Sequence, residues 1–496
     1  MLRTLVRQEL LTHLMSARFF AAVVITLLLV VANAVVLLED YERRLVKYSQ
    51  QANAHREKAQ EAKTYSTLKL SVERPPNPLS LFSAGLDKRL GTTFEIYYGS
   101  VPMISDGSAR SLDNTFLNLF SKIDLVLIFQ VVLSLMALLF AYDAIAGDWE
   151  NGTLRLVISH PVRRGSILFA KYIGAMVCLL IPVLMSLLMV LILLSSTSSI
   201  QLDGEDFIRI GGIVLTTSIY LSVFYLIGLL ISATTRRTAT SLMLCMFLWV
   251  ALVLVYPNWS RFTITPVGDT RAIHSSADQQ IEQILEEVDR EERAFLANSP
   301  LEGEPQKFNL DVQSSNSFSS GRHFSRQYGV NMKLLGNRSE PLVPHVQQYH
   351  ATMGALHIRS AEQIALVRKQ TLDSTSLQES IRHERLMKLS PASLYTFTAA
   401  AWAGTDLDGM FDFVQAVQGY QRTIVDYFHD KDAFGSRKWF ASDRGAVDWW
   451  DLPQFHFDRA DVSENATRAL PELFLLLLIN LVLFTGTFLI FTKIEV

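Results

Sequence analysis

Six stretches of this chain are long and apolar enough to cross a lipid bilayer, and no other feature constrains its fold as strongly. The hydrocarbon layer is about 30 Å thick and a helix rises about 1.5 Å per residue, so roughly 20 mostly apolar residues are needed. The runs extend from Phe19 to Leu38, Ile123 to Tyr142, Leu168 to Ser195, Ile210 to Ala233, Ser241 to Tyr256 and Leu470 to Phe491. The fifth is short, and Thr238 to Thr240 or Pro257 extends it into the interface. The first reads as a retained helix rather than a secretory signal: its apolar run is too long, and no small-residue cleavage site follows before Glu39 and Asp40. Backbone groups in lipid must bond within their own segment, so the expected fold class is an all-α integral membrane protein.

Between the runs lies a second kind of sequence. With 49% hydrophobic and 19% charged residues, the chain is too apolar for one soluble fold and too charged for a bundle wholly in lipid. A net charge of −3 gives no reason to expect nucleic acid as a partner. Cys178 and Cys245 both fall inside apolar runs and read as small buried hydrophobes.

Orientation follows from basic residues near the span ends, which resist translocation. Arg3, Arg7 and Arg18 precede span one; Arg155, Arg163, Arg164 and Lys171 lie between spans two and three; Arg236 and Arg237 separate spans four and five; Lys493 follows span six. All fall on one side of a six-span arrangement, while Asp203, Glu205 and Asp206 occupy the short loop on the other. Both termini are therefore expected in the cytoplasm, with 39–122 and 257–469 facing outward and 143–167 inward. Residues 1–18 carry Leu2, Leu5, Val6, Leu10 and Met15 near helical spacing, which predicts an amphipathic helix on the inner leaflet.

The outward regions read as mainly helical. Charged, Gly-free sequence from Tyr41 to Lys63 continues span one as a stalk, until Arg74-Pro-Pro-Asn-Pro breaks it. A short strand is expected over Thr92 to Tyr98. In the second region, Ala277 to Ala297 and Pro344 to Lys388 have helical composition, Ser314 to Arg326 is Ser-rich and reads as loose, and Ser390 caps a helix opened by Pro391. Trp402, Trp439, Trp449 and Trp450 are expected to pack the core of this region or its base at the membrane. His345, His350 and His357 do not have spacing for one metal ion, because two helical turns separate the last two by about 10 Å.

Between spans two and three stands Glu150-Asn-Gly-Thr-Leu-Arg, followed by His160-Pro-Val-Arg-Arg. The first piece predicts a short polar helix ending near Gly152, and Pro161 opens the next. A helical elbow held between two spans is a place where a cytoplasmic partner could push; by itself it is also an ordinary loop. The segment resembles the inner loop of ABC-2 type transporter permeases. Arg74-Pro-Pro-Asn-Pro with Gly85-Leu-Asp, Leu389-Ser-Pro-Ala with Ala403-Gly-Thr-Asp, and Asp451-Leu-Pro-Gln-Phe are similar to a subfamily with a large outward domain between spans five and six.

The resemblance implies a permease, not an enzyme, in a bacterial cytoplasmic membrane, working as an exporter. It implies a pairing with a second permease subunit, identical or paralogous, and with two cytoplasmic ATPase subunits that hold ATP and magnesium. It assigns contact with the ATPase to Glu150, Asn151, Gly152, Thr153, Arg155, Pro161, Arg163 and Arg164, with Arg236 and Arg237 in the second inner loop. No Gly-x-x-x-x-Gly-Lys-Ser/Thr phosphate loop occurs in the chain, so no cofactor is expected on it. The alternative is a mechanical or scaffolding role in which the ATPase moves the outward domain and no substrate crosses. A periplasmic partner for that domain belongs to both readings.

Within the spans, Gln130, Ser134 and Asn480 are candidates to line a path or to bond helices together, the second being the default for mid-membrane amides. Gly211, Gly212, Ser218 and Ser222 put small residues on span four, where a second subunit could approach closely.

Overall fold

The computed structural model describes residues 2–87, 93–96, 103–104, 123–153, 164–197, 200, 202–259, 270–298, 310–316, 324–330, 340–372 and 385–493. Among these, six helices meet the length and apolarity needed to span a membrane: Ala17–Glu61, Leu125–Glu150, Arg164–Ser195, Gly204–Thr234, Thr238–Val255 and Val462–Lys493. The chain is an all-α membrane protein with a further, largely helical region between spans five and six.

Several spans run past the ends of their apolar runs for identifiable reasons. Span four starts at Gly204 because Asp203 and Asp206 form a capping box around its first turn. Span six begins at Val462, eight residues before its apolar run, and continues through Pro471. Its added turns are held by Arg468, whose guanidinium meets both oxygens of Asp412 at 2.8 and 2.9 Å. Spans two and five each contain one wide π-helical turn, Phe129–Leu133 and Val250–Val255. These loosen local carbonyls for other partners. Gln130 O accepts the hydroxyl of Tyr220, and Leu252 O accepts that of Ser390.

Span four is the axis of the bundle: 72% of its most apolar stretch is buried, against 17% in span six and 22% in spans one and five. Gly228 lets span two approach so closely that a Cβ there would sit 2.6 Å from Ala141. Of the small residues expected to form a second-subunit face on span four, Gly212 and Ser222 are used inside the subunit, while Gly211 faces open space. Gly212 lies under Trp402, and Ser222 bonds Tyr172 and Asn480. Sequence could not show this, since small residues permit close approach to any partner, and here the partner belongs to the same chain.

That partner includes the helix Pro391–Ala403, which enters the bundle from the second region. Ser390 caps it as expected, accepting Ala392 N–H. Tyr395 stacks on Tyr220 of span four at 4.4 Å between ring centres. Thr217 and Tyr395 share a 3.0 Å hydrogen bond. A helix of 13 residues is too short to span lipid, and its buried surface shows why it is apolar nonetheless.

The first helix, Leu2–Leu14, packs along span three, with Glu9 and Leu10 against Gly174, where a Cβ would meet them at 3.0 and 3.3 Å. The amphipathic pattern thus serves a protein contact as well as any surface it lies on. Ser16 then caps the 45-residue helix Ala17–Glu61, which carries span one into the stalk without a break.

Beyond the stalk, Leu70–Glu73 pairs antiparallel with Thr93–Ile96, and the latter with Met103–Ile104. Phe94 of this sheet packs edge-on against Phe413 of the helix Leu407–Asp430. Asp406 caps that helix through Gly409 N–H, and burial pushes its carboxyl up to about 6. The motifs noted in the outward regions interlock: Asn77 Nδ2 donates to Ala403 O at 2.8 Å, and Leu86 N–H to Thr405 O at 2.8 Å. Gly85, at φ +48°, leaves no room for a Cβ, which would lie 2.4 Å from Thr405 O.

The charged helices appear at Thr270–Asn298 and Val343–Leu372. The Ser-rich stretch read as loose is strand at both ends, where Leu310–Asn316 pairs antiparallel with Phe324–Val330, and its middle, 317–323, lies outside the described residues. Its backbone pairing needs no apolar alternation to form, which is why composition concealed it. Trp439 and Trp449 are buried, whereas Trp450 is 82% exposed. His350 stacks on Phe440, and no metal-holding group of three ligands occurs among the described residues.

Candidate functional site

Span two does not stop cleanly. After Ala141 the chain turns through 142–145 and resumes as the short helix Ala146–Glu150. Such a break exposes backbone donors and acceptors that burial would leave unpaired. One hydroxyl on span four satisfies three of them: Ser232 Oγ accepts from Ile145 N–H at 3.0 Å and Ala146 N–H at 2.9 Å, and donates to Tyr142 O at 2.9 Å.

The helix is then tied to its surroundings in four directions. Asp143 pairs with Arg18 at the start of span one, 2.7 Å away, and that guanidinium also lies over the Tyr142 ring. Asp148 meets Lys171 of span three at 3.3 Å, and Lys171 meets Glu9 of the first helix at 3.1 Å. Trp149 lies under Arg236, with the cation 5.2 Å from the ring centre. Glu150 Oε2 accepts both the N–H of Thr238 at 2.9 Å and its hydroxyl at 2.7 Å, a carboxylate seated on the first turn of span five.

The residues that follow are exposed. Asn151 closes the helix, and Gly152 stands at φ +70° with nothing near its missing Cβ. Its glycine is thus required by backbone conformation alone. Thr153 turns its hydroxyl back toward Asp148 at 3.3 Å. Arg155, Pro161 and Arg163 lie outside the described residues. Arg164 donates to Thr492 O at 2.9 Å and so joins spans three and six. Arg237 occupies the cap position of span five.

Gln130, Ser134 and Asn480 lie elsewhere, within the bundle. Gln130 Oε1 accepts from Thr396 of the inserted helix, and Trp249 Nε1 donates to Ser134 Oγ at 2.8 Å. Asn480 accepts from Ser222 and donates to Ile219 O and Leu476 O. All three therefore bond helices within one subunit.

Sequence reading missed Ser232, Thr238, Asp148 and Glu9 as parts of the site. It counted Arg18 and Lys171 only as topology signals. Apart from the Asp148–Lys171 pair, their partners lie roughly 90 to 160 positions away along the chain, and no local spacing announces such a pairing.

Among the described residues, the arrangement is an exposed turn braced against the ends of several spans. A turn joined in this way to the ends of several spans fits a membrane subunit of the permease type. Comparison with known proteins agrees. Residues 3–300, more than half of the chain, match the model of the ABC-2 family transporter proteins, and this chain belongs to that family. Residues 323–458 match a domain of unknown function. A probable ABC transporter permease protein NosY from Stutzerimonas stutzeri is 30% identical over 126 residues, which cover 25% of this chain and 45% of the relative. A protein of the same description from Pseudomonas aeruginosa is 49% identical over 43 residues, 9% of this chain and 16% of the relative. The matched segments thus span less than half of either relative.

Proposed function

We propose that the chain is the membrane half of an ATP-driven exporter in a bacterial cytoplasmic membrane, and that the turn from Ala146 to Thr153 receives the push of a separate ATPase. Family membership supports the permease role, and the basic span ends support a cytoplasmic position for this turn. The observation that carries the coupling assignment is the bracing of one short helix by Arg18, Lys171, Ser232 and Thr238, which belong to four different spans. A force applied at Glu150 to Thr153 reaches all of them without passing through a flexible segment. Arg155, Pro161, Arg163, Arg236 and Arg237 add cationic and turn-forming groups for the ATPase surface. A second permease subunit completes the assembly, and ATP with magnesium resides on the ATPase.

A mechanical role is the second reading. Helix Pro391–Ala403 favours it, since its seat against spans two and four makes the outer region move with the bundle. One experiment addresses both. The complex with the ATPase is purified for Gly152→Val, Glu150→Ala and Arg163→Ala, and subunit association is measured alongside ATP hydrolysis. Reduced stimulation with intact association is expected. Unchanged stimulation in all three removes the coupling assignment, and hydrolysis driven only by a partner of the outer region selects the mechanical reading.

A further inference from the structure

At the end of the bundle away from Ala146–Glu150, a cavity of about 270 Å³ lies where spans four and six meet the two outer regions. Its walls include Arg74 to Pro78, Ala403 and Gly404, Arg209 of span four, and Arg459 with Asn465. Two of these pieces are the motifs Arg74-Pro-Pro-Asn-Pro and Ala403-Gly-Thr-Asp, for which the coupling role gives no use.

Three guanidinium groups line this space, and their carboxylates are shared. Asp206, fully buried, accepts Arg209 Nη1 at 2.9 Å and both terminal nitrogens of Arg459 at 3.0 and 3.2 Å. Asp87 serves Arg74 at 3.3 Å and Arg44 at 2.8 Å. Arg74 Nη1 points to the thioether of Met410 at 3.6 Å, a weak acceptor. Arg209 also gives Nη2 to Glu205 and Ala460 O, yet its Nε is buried with no partner. Asp412, another wall residue, has both oxygens occupied by Arg468, and Asp458 is at the exposed rim beside His456.

Formal charge in this network balances, with Arg44, Arg74, Arg209 and Arg459 against Asp40, Asp87, Asp206 and Glu205. What distinguishes the site is an excess of N–H donors, since each guanidinium carries five. We propose that this cavity binds a phosphoryl group. Guanidinium forks match phosphate oxygens, and three of them from separate segments suit a tetrahedral group better than a planar carboxylate. At about 30 Å³ per water, the space equals that of roughly nine waters, enough for a phosphoryl group with a short polar substituent.

The site's depth gives two sources for that chemistry. Arg209 directly precedes the apolar run of span four, and Asn465 stands five residues, about 7 Å, before that of span six, so the cavity lies at headgroup level. The ligand is either a lipid headgroup such as phosphatidylglycerol or a soluble phosphate ester. The site does not depend on the coupling assignment.

The test uses the full-length chain in a phosphate-free maltoside detergent. Inorganic phosphate is titrated against chloride at matched ionic strength by calorimetry, and phosphatidylglycerol retention is measured by native mass spectrometry. At least one should bind, at least tenfold more weakly to Arg459→Gln. That variant leaves Asp206 paired with Arg209; if it nevertheless loses cooperative unfolding, Arg459→Lys keeps the charge, removes the fork and should bind about threefold or more weakly. Retained phosphatidylglycerol that inorganic phosphate does not displace identifies the lipid, and competitive displacement identifies a soluble ester. Wild-type protein that binds neither probe above its control, or variants that bind like wild type, overturns the proposal.

Discussion

The short helix Ala146–Glu150 and the arginine-lined cavity sit at opposite ends of span four, near Ser232 and Arg209 respectively, and they are finished differently. At the Ser232 end, one hydroxyl and several cross-span pairs use up the groups that the break in span two sets free. At the Arg209 end, Arg209 Nε and Asn465 Oδ1 are buried with no partner beside a cavity. Buried polar groups without partners cost about 1 to 3 kcal/mol each. The first end is therefore closed, whereas the second keeps unpaired polar groups near an open space.

The strongest way to break this contrast is Ser232→Val. It leaves Ile145 N–H, Ala146 N–H and Tyr142 O without their partner, so a loss of about 3 kcal/mol or more is expected. Thermal unfolding of the detergent-purified chain measures it, and a shift no larger than that of an exposed serine shows that the joint is not tight.

Next comes pH at the other end, through Asp406. Burial raises its carboxyl from 3.8 to about 6, so the folded form holds its proton more tightly than the unfolded one. Stability from this group is complete below about pH 4 and is lost as pH rises through 6, by at most about 3 kcal/mol at 1.36 kcal/mol per unit. Asp406→Asn keeps a capping side chain. It should remove that slope and unfold at a higher temperature than wild type at pH 7, while a slope that persists in the variant assigns it to another group.

Gly212→Ala should cost about 2 kcal/mol, because the added carbon meets the Trp402 ring 2.3 Å away. Gly211→Ala, one position along and facing open space, serves as its control and should be near neutral. Equal effects at both positions remove Trp402 from the contact. The smallest effect belongs to Arg18→Ala. The Arg18–Asp143 side chains are 47% and 34% exposed, so their pair is expected to contribute under about 1 kcal/mol. A larger shift in unfolding temperature makes this pair a main brace rather than one of several.

The spans were legible in the sequence because hydropathy is a property of each segment alone. Their ends were not. Span six is lengthened by Asn465 and Arg468, whose partners lie in other regions, and span four by a capping box of Asp203 and Asp206 that hydropathy does not register. Glycine at 152 was legible as a helix end, since a left-handed residue leaves a local signature. The bracing by Ser232 and Thr238 was not, for it depends on a fold that brings distant loops together. The same limit hid the use of Gly212 and Ser222, which sequence marked as small without saying what fills the space they leave.

The unbroken helix from Ala17 to Glu61 gives the molecule a lever. Its apolar run ends near Leu38, leaving 23 residues of arm, about 35 Å at 1.5 Å per residue. Tilting span one by about 10° would carry the arm's tip through roughly 6 Å, if the helix stays straight. The tip is fastened: Trp449 Nε1 donates to Ala62 O at 2.7 Å, and Val447 N–H to Lys63 O at 3.1 Å. Arg18, at the foot of the same helix, is paired with Asp143 beside the braced turn. A small rocking at the foot would therefore become a stroke of several ångströms at the far end, applied to the loop that carries exposed Trp450.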